Sequence, residues 1–316
     1  MTTQALRTEA EPTEAVPGRT AATAVRTPRS HKLTIGVLLA PACVGLAIFQ
    51  LGPLVYALLN SFRQVSLLDL TNSKYVGLAN YAELLQDTTF WHSMGNTLLY
   101  VVGKLVVQVP LAFALAVLLD RKLRGTALAR AALFAPLVTS GAVIAVIWNL
   151  MYFPDTGLFN AIIDWSGLPT QPFLTSSAQA LPAILLVGIW EDIGFSVLIF
   201  LAGLQAVPAS VYEAAELDGV RGFRLARFVM LPLLRRTTMV VTFMATVFSF
   251  RVFTPIFVMT QGGPDNATNN AVYFMYQQAF QFSNLGYASA VGVTVIVLVA
   301  GLLALQARLL RTDLEY

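Results

Sequence analysis

Six long apolar runs dominate this sequence of 316 residues. They lie at about residues 33–61, 95–119, 131–153, 181–206, 237–260 and 287–307. A helix needs roughly 20 mostly apolar residues to cross about 30 Å of hydrocarbon, and each run reaches that length. Because 56% of the residues are hydrophobic and only 12% are charged, one soluble domain could not bury them all. The sequence therefore predicts an all-α integral membrane protein with six transmembrane helices.

The basic residues predict the orientation, since Lys and Arg concentrate at cytoplasmic flanks. They cluster before the first run, in the second-to-third and fourth-to-fifth connections and at the C-terminus, whereas the opposite side carries only Arg63 and Lys74. We therefore expect both termini in the cytoplasm.

Residues 1–30 lack the apolar side chains of a core and are expected to form a disordered tail, leaving 31–316 as the membrane domain. This topology explains the net charge of +3 without nucleic acid and favours anionic membrane lipid.

Sequence templates for catalysis and metal binding are missing. The only Gly-Lys pair, Gly103-Lys104, lies inside a span and is not followed by Ser or Thr, so the chain should not hydrolyse ATP. Nucleophile-elbow and zinc-protease motifs are absent as well. Cys43 is the single cysteine, and His31 and His92 are predicted on opposite sides of the membrane. We expect no catalytic residue, no metal site and no cofactor in this chain.

The connection over residues 207–236 predicts a compact helix–turn–helix elbow. Pro208 and Ser210 can start a short helix, because Pro fits a first helical turn and Ser caps exposed N–H groups. The apolar face of this helix is predicted to comprise Val211, Ala214, Ala215 and Leu217. Gly219 and Gly222 then interrupt it, and a second amphipathic turn leads back into the membrane.

The residue spacing in this elbow resembles a known pattern. Glu213-Ala214-Ala215, three residues, Gly219, nine residues and Val229-Met230-Leu231-Pro232 are similar to the EAA loop of permease subunits in binding-protein-dependent ABC importers. Val229 stands where that family usually has Ile, and it keeps an apolar β-branched side chain. The resemblance implies a coupling helix seated in a groove of a cytoplasmic ATPase. The residues implied in coupling are Glu213, Ala214, Ala215, Asp218, Gly219, Leu231 and Pro232.

Further segments resemble the carbohydrate-uptake branch of these permeases. They are Val76–Tyr81 with Phe90-Trp91 and Asn96-Thr97, then Thr260–Pro264, then Tyr276–Phe280. Their order is similar to that in maltose permease F and sn-glycerol-3-phosphate permease A. The resemblance implies a type I ABC importer permease fold in a prokaryotic inner or plasma membrane. It also implies a second homologous permease, two ATPase subunits that hold ATP and Mg, and an extracytoplasmic solute-binding protein.

Ionisable residues within spans are costly and usually face a bundle interior or an aqueous cavity. Lys104 and Glu191 each lie about ten residues from the outer end of their span, so at about 1.5 Å per residue their depths match. Asp192 points about 100° around the helix from Glu191, so both cannot face one partner. We expect one of them to pair with Lys104, Arg251 or a group on the partner permease. Such a pair would either pin helices together or take part in gating or substrate contact.

Arg251 lies toward the outer end of the fifth run, with Phe250 and Phe253 beside it. A positive charge there suits an anionic substrate, whereas a neutral sugar would not require it. The candidate residues of the translocation pathway are Lys104, Glu191, Asp192, Phe250, Arg251 and Phe253.

The favoured function is therefore the transmembrane subunit of an importer for a sugar or glycerol-phosphate-type solute. The alternatives are a permease for another polar solute, an ATP-independent channel or secondary transporter, and a membrane enzyme. A channel or an enzyme would not explain why the chain carries the pattern from Glu213 to Pro232. The choice of solute is set first by a binding protein outside this chain.

Overall fold

The computed structural model describes residues 29–120 and 125–309, and most of them form helices. The predicted tail up to residue 28 and the basic residues Arg121, Lys122, Arg124 and Arg311 lie outside this described part. The chain divides into two compact units, one ending at Pro53 and the other starting at Leu54.

The first unit is helical throughout its described part. Helix α1 runs over Arg29–Leu46 and continues into a π-helical turn, Ala47–Leu51. The apolar side chains from Val37 onward are exposed, Phe49 by 82%. The helical stretch Val37–Asn60 is long and apolar enough to cross a membrane. An all-round apolar helix with exposed side chains is the form that hydrocarbon or a neighbouring subunit favours.

The second unit contains thirteen α-helices and one hairpin among its described residues, with short 3-10 and π-helical segments between some of them. Its first part comprises α2 (Gly52–Asn60, whose first residues belong to the first unit), β1 (Arg63–Ser66), β2 (Asp69–Tyr75), α3 (Ala79–Gln86), α4 (Thr88–Asp120), α5 (Thr126–Phe134), α6 (Gly141–Met151), α7 (Leu158–Trp165) and α8 (Ala180–Gln205). Its second part comprises α9 (Ala209–Leu217), α10 (Gly222–Leu225), α11 (Leu231–Leu233), α12 (Arg235–Phe250), α13 (Ala271–Tyr276) and α14 (Leu285–Leu309).

The antiparallel hairpin β1–β2 sits at the end where α14 begins. Ser66 forms a bridge with Asn284, next to the start of α14. The Asn80 side chain of α3 donates hydrogen bonds to the carbonyl oxygens of Ser61 and Arg63, both at 2.9 Å. These bonds fix α3 against the hairpin, so this end of the unit is ordered.

Helices α4 and α8 pack along each other and form the centre of the second unit. Ala112 and Ala116 of α4 share a buried apolar cluster with Val197 of α8. Small residues allow close approach between membrane helices. At Gly194 of α8 an added Cβ would collide with the carbonyl of Leu133, so only glycine lets α5 lie this near.

The third apolar run, predicted as a span over 131–153, is bent rather than straight. The stretch Thr126–Val138 meets α6 at an angle of 109°. Pro136 lacks the N–H that a continuous helix needs, and Ser140 is extended with a ψ of 129°. By length and composition the bent pair still qualifies as one span.

The fifth run, predicted over 237–260, also differs from a single helix. Helix α12 ends at Phe250, and helical structure returns around the π-helical turn Ile256–Thr260. Pro255 cannot continue a helix but fits the first turn of a new one. At its other end α12 meets Gly222–Leu233 at 80°. The described residues thus contain four helices with the length and composition of a span, or up to six if each bent pair counts as one.

Candidate functional site: the elbow and the ion pair between helices

The connection of residues 207–236, here called the elbow, has two helical arms. Beyond α9, the N–H of Gly219 bonds to the carbonyl of Glu216 at 3.0 Å, and the N–H of Val220 bonds to that of Ala215 at 2.9 Å. These bonds form a Schellman motif, which requires a left-handed residue at the position of Gly219. Its φ is +72°, a conformation that glycine adopts without steric cost. The predicted break at Gly219 is therefore confirmed.

The second arm begins at Gly222, whose φ is +59°. It comprises α10, a π-helical turn over Ala226–Met230 and α11, and it returns the chain to α12. The first arm starts at Ala209 directly after Pro208. Ser210 consequently lies inside α9 and does not cap it, because the proline already supplies the turn into the helix.

Both ends of the elbow are anchored in the apolar cluster of α4 and α8. Leu204 precedes the elbow, Met230 and Leu234 lie in its second arm, and all three are buried in that cluster. The hydroxyl of Tyr212 donates to the carbonyl of Leu204 at 3.3 Å. Burial, and secondarily the charge of Asp120, raises the pKa of the Tyr212 phenol, which keeps this donor protonated.

Most of the predicted coupling residues lie on the surface of the elbow. The exposed ones are Glu213, Ala214, Asp218, Gly219, Leu231 and Pro232. Ala215 is buried and helps to seat α9. Leu217, predicted on the same apolar face, is 90% exposed, and Phe223 and Phe228 are exposed by 77% and 68%. These three residues were not among the predicted coupling residues, although three large apolar side chains in a connection rich in Arg and Gly were a signal.

The elbow carries an excess of positive charge, with five Arg against three acidic residues. Arg221 pairs with Glu216 at 3.0 Å, and both side chains are exposed. Among the residues that the structure describes, no carboxylate lies within 4 Å of Arg224 or Arg227. These two guanidinium groups are therefore available to an external anion.

Within the helices, Lys104 of α4 pairs with Asp192 of α8. Lys104 is buried, whereas the Asp192 side chain is 24% exposed. The Tyr100 ring lies 5.7 Å from the Lys104 ammonium, and at Gly188 an added Cβ would collide with the Tyr100 hydroxyl. The expected pairing of Lys104 with one of the two carboxylates is thus present. The part of this pair in a pathway stays a prediction.

Glu191 faces α6 and not α4, in keeping with the rotation of about 100° between consecutive residues of a helix. Its carboxylate lies at the start of α6, where a Cβ added to Gly141 would come within 3.0 Å of Oε1. A helix N-terminus favours negative charge, so the bend in the third run places a favourable dipole beside this carboxylate. The rings of Trp148 and Trp190 lie 5.6 Å apart between the same two helices.

The remaining candidate pathway residues lie at the end of α12 and just beyond it. Phe250 is buried, whereas Arg251 is exposed and has no carboxylate within 4 Å among the described residues. Phe253 joins an aromatic cluster with Phe257 and Tyr276, at centroid distances of 5.3 and 5.2 Å. The structure thus brings Lys104 and Asp192 together, and no hydrogen bond or ion pair of the described part links Arg251 to them.

Residues 108–312 match the family described as binding-protein-dependent transport system inner membrane component. The chain belongs to this family. The matched range contains α8, the elbow and α12, and hence every predicted coupling residue. As an inner membrane component of this kind, the chain is a multi-pass membrane protein and a permease subunit of an ABC importer.

Relatives of this inner membrane component resemble it over most of its length. It is 33% identical to the sn-glycerol-3-phosphate transport system permease protein UgpA of Agrobacterium fabrum over 287 residues, which cover 90% of this chain and 97% of that one. It is 32% identical to the arabinooligosaccharides transport system permease protein AraP of Halalkalibacterium halodurans over 273 residues, 85% of each chain.

Solved structures show the fold of this inner membrane component independently. A chain of the bacterial alginate ABC transporter, in complex with an alginate pentasaccharide-bound periplasmic protein, superposes with a TM-score of 0.78 at 20% identity. The superposition covers 89% of this chain and 95% of that one. The chain therefore has the type I permease fold predicted from the sequence.

Proposed function

We propose that this permease forms half of a translocation pathway for a sugar or glycerol-phosphate-type solute. The other half would be a second homologous permease, and an extracytoplasmic binding protein would deliver the solute. The names of the two relatives support this class, since one belongs to glycerol-3-phosphate transport and the other to arabinooligosaccharide transport. Both of those solutes are rich in hydroxyl groups.

We infer that the elbow is the docking site of an ATPase. The observation that carries this proposal is an ordered, basic connection from which large apolar side chains project, above all Leu217 at 90% exposure. Exposed apolar groups of this size mark protein interaction surfaces. Glu213 and Asp218 are exposed on the same arm and can accept hydrogen bonds. Two ATPase subunits, which would hold ATP and Mg, would bind one to each permease.

The anchored ends of the elbow explain how ATPase motion would reach the pathway. Leu204, Met230 and Leu234 pack in one cluster with α8, which also bears Glu191 and Asp192. A displacement of the elbow would therefore move α8 and its carboxylates relative to α4. In this mechanism separated ATPases favour an inward-facing state, and ATP binding favours an outward-facing one.

The distribution of basic residues supports the orientation that this mechanism needs. The elbow carries five Arg, whereas the hairpin end carries Arg63 and Lys74. We therefore place the elbow and both termini in the cytoplasm and the hairpin β1–β2 outside. The hairpin and α3 would then face the loaded binding protein.

The charge of Arg251 helps to distinguish a neutral sugar from a glycerol-phosphate-type solute as the substrate. An exposed guanidinium that lacks a carboxylate partner among the described residues favours a solute with a phosphate or carboxylate group. Glu191, which is partly exposed, can accept hydrogen bonds from hydroxyl groups of either class. The geometry thus favours an anionic, hydroxyl-rich solute for this permease.

Co-purification tests the assembly. The C-terminally tagged chain would be purified in mild detergent from its native membrane and its partners identified by mass spectrometry. Recovery of a second permease and an ATPase is expected, and Leu217→Asp should release the ATPase while the permease pair remains. Leu168→Asp, which alters another exposed leucine near the end of α7, is the matched control and should retain all partners.

Three results would contradict the proposal. The chain could be recovered alone under conditions that preserve known complexes, or an ion gradient could drive flux through it without ATPase. Conversion of a solute by the purified chain would instead establish a membrane enzyme. If the importer assembles, the co-purified binding protein identifies the solute through the ligand it retains.

A further inference from the structure

An apolar groove of about 620 Å³ lies between α4 and the second arm of the elbow. On the side of α4 its wall is formed by Val109, Pro110, Phe113, Ala114 and Val117. On the side of the elbow it is formed by Gly222, Phe223, Ala226, Arg227 and Leu231. We call this the elbow groove. All of its lining residues belong to the second unit.

The elbow groove is long enough to hold most of an acyl chain of one bilayer leaflet. Val117 and Val109 lie three and eleven residues before Asp120, the last residue of α4. At 1.5 Å per residue the wall therefore covers about 5 to 17 Å from that end of the helix. That wall is about 12 Å long, and half of the roughly 30 Å hydrocarbon core is about 15 Å, so the groove spans most of one layer of acyl chains.

The elbow groove has a single charged lining residue, Arg227. No carboxylate of the described residues lies within 4 Å of its guanidinium, which lies 5.9 Å from the centre of the Phe228 ring. The other polar side chain of the lining, Thr238, already donates its hydroxyl to the carbonyl of Leu234 at 2.9 Å. The groove therefore suits an amphipathic ligand: its apolar walls can contact a hydrocarbon chain, and Arg227 can pair with an anionic headgroup.

From this juxtaposition we propose that the elbow groove binds an anionic phospholipid of the cytoplasmic leaflet. Its acyl chain lies along α4, and its phosphate pairs with Arg227. The charge complementarity selects this occupant, because a neutral protein segment would leave the guanidinium without a counter-ion at the edge of the hydrocarbon. The inference rests on the proposed cytoplasmic orientation of the elbow.

Such a lipid would bridge a transmembrane helix and the proposed coupling element. Because the groove is walled by α4 on one side and by the elbow on the other, its occupant contacts both. An anionic lipid in this place holds the second arm against α4. Coupling of ATP hydrolysis to transport should therefore increase with the anionic lipid content of the membrane.

Lipid exchange followed by native mass spectrometry tests the site. The intact importer would be placed in nanodiscs of phosphatidylcholine with phosphatidylglycerol, and the lipids that remain bound would be counted. Arg227→Gln should lower phosphatidylglycerol affinity about fivefold, the effect of one basic residue at a membrane surface. Ala114→Phe should block the groove without changing charge.

Two matched controls accompany these variants. Arg224→Gln removes an equivalent charge from the elbow outside the groove, and Leu118→Phe adds bulk to α4 outside the groove. Both should retain phosphatidylglycerol as the unaltered importer does. Equal retention by all four variants, or equal retention of phosphatidylcholine and phosphatidylglycerol, would overturn the proposal.

A photo-reactive side chain identifies the occupant directly. A benzophenone group in place of Val117 should crosslink to phospholipid. Crosslinking to the partner permease would show that a protein covers the groove and would overturn the lipid assignment. Recovery of the ATPase in the same purification is scored separately, so a failure of the lipid site is distinguishable from a failure of the importer assembly.

Discussion

Replacement of Gly219 should uncouple transport through backbone conformation alone. Its φ of +72° lies in the left-handed region, where a residue with a Cβ is disfavoured by roughly 1–2 kcal/mol. Apart from the neighbouring residues of the chain, no atom lies within 4 Å of an added Cβ, so the loss would come from the local backbone and not from a clash with another part of the fold. A difference of this size lowers the ratio of ordered to disordered elbow by a factor of about 5 to 30.

The loss of coupling should depend on which side chain replaces Gly219. Asn tolerates the left-handed region better than Ala, so Gly219→Asn should be milder than Gly219→Ala. Gly219→Pro should be the most severe, because proline fixes φ near −65° and removes the N–H that bonds to Glu216 at 3.0 Å. We expect the ratio of ordered to disordered elbow to fall at least about tenfold for the proline variant, since about 1.4 kcal/mol corresponds to a factor of ten, and solute uptake per ATP hydrolysed to fall with it. The assay is the complete importer in proteoliposomes.

Gly167 provides the control, because it ends α7 with the same geometry. Its φ is also +72°, its N–H bonds to the carbonyl of Asp164 at 2.8 Å, and an added Cβ there also meets no atom within 4 Å. Gly167→Pro should therefore cost similar local order without changing the ratio of uptake to hydrolysis. A proline at 219 with normal coupling, or the same uncoupling from both positions, would refute the reasoning.

Other predictions concern the helix interior and the charge beyond it. Lys104→Met should destabilise the permease by about 3 kcal/mol because Asp192 is left without its counter-charge, and adding Asp192→Asn should recover most of the loss; equal thermal melting of the single and double variants would contradict this. Gly188→Ala should cost about 1–3 kcal/mol through collision with the Tyr100 hydroxyl, and Tyr100→Phe should relieve it, as unfolding midpoints would show. Arg251→Gln should raise the apparent KM for an anionic solute at least fivefold and leave a neutral sugar unaffected in the same uptake assay; equal changes for both solutes would argue against phosphate recognition.

The positions of the membrane helices could be predicted largely from local composition. Runs of apolar residues fixed α4, α8 and α14 closely, and Gly219 and Gly222 marked the turns of the elbow. The bends were harder to foresee, because an average of hydropathy over a span does not register Pro136. A single proline within a run can be tolerated, kink a helix or end it, depending on its neighbours.

The side-chain partners could be foreseen only in part. Matching depths predicted a partner for Lys104 but left the choice between Glu191 and Asp192 open. That choice depends on the rotation of α8 about its own axis, which packing against α4 determines. The exposure of Leu217 could not be predicted either: the spacing groups it with Ala214 and Ala215 on one helical face, but it is the last residue of α9, and the turn that follows leaves it uncovered.

The attachment of the elbow has a mechanical consequence. Leu204, Met230 and Leu234 lie in one close-packed cluster. Because close-packed interiors are hardly compressible, a displacement of the elbow is transmitted to α8 almost without loss. That helix has 26 residues and is about 39 Å long at 1.5 Å per residue. A tilt of about 5° at its base would then carry its far end through about 3 Å. In the proposed mechanism, a small displacement of the elbow would therefore be enough to open or close a gap of atomic size near the opposite end of α8.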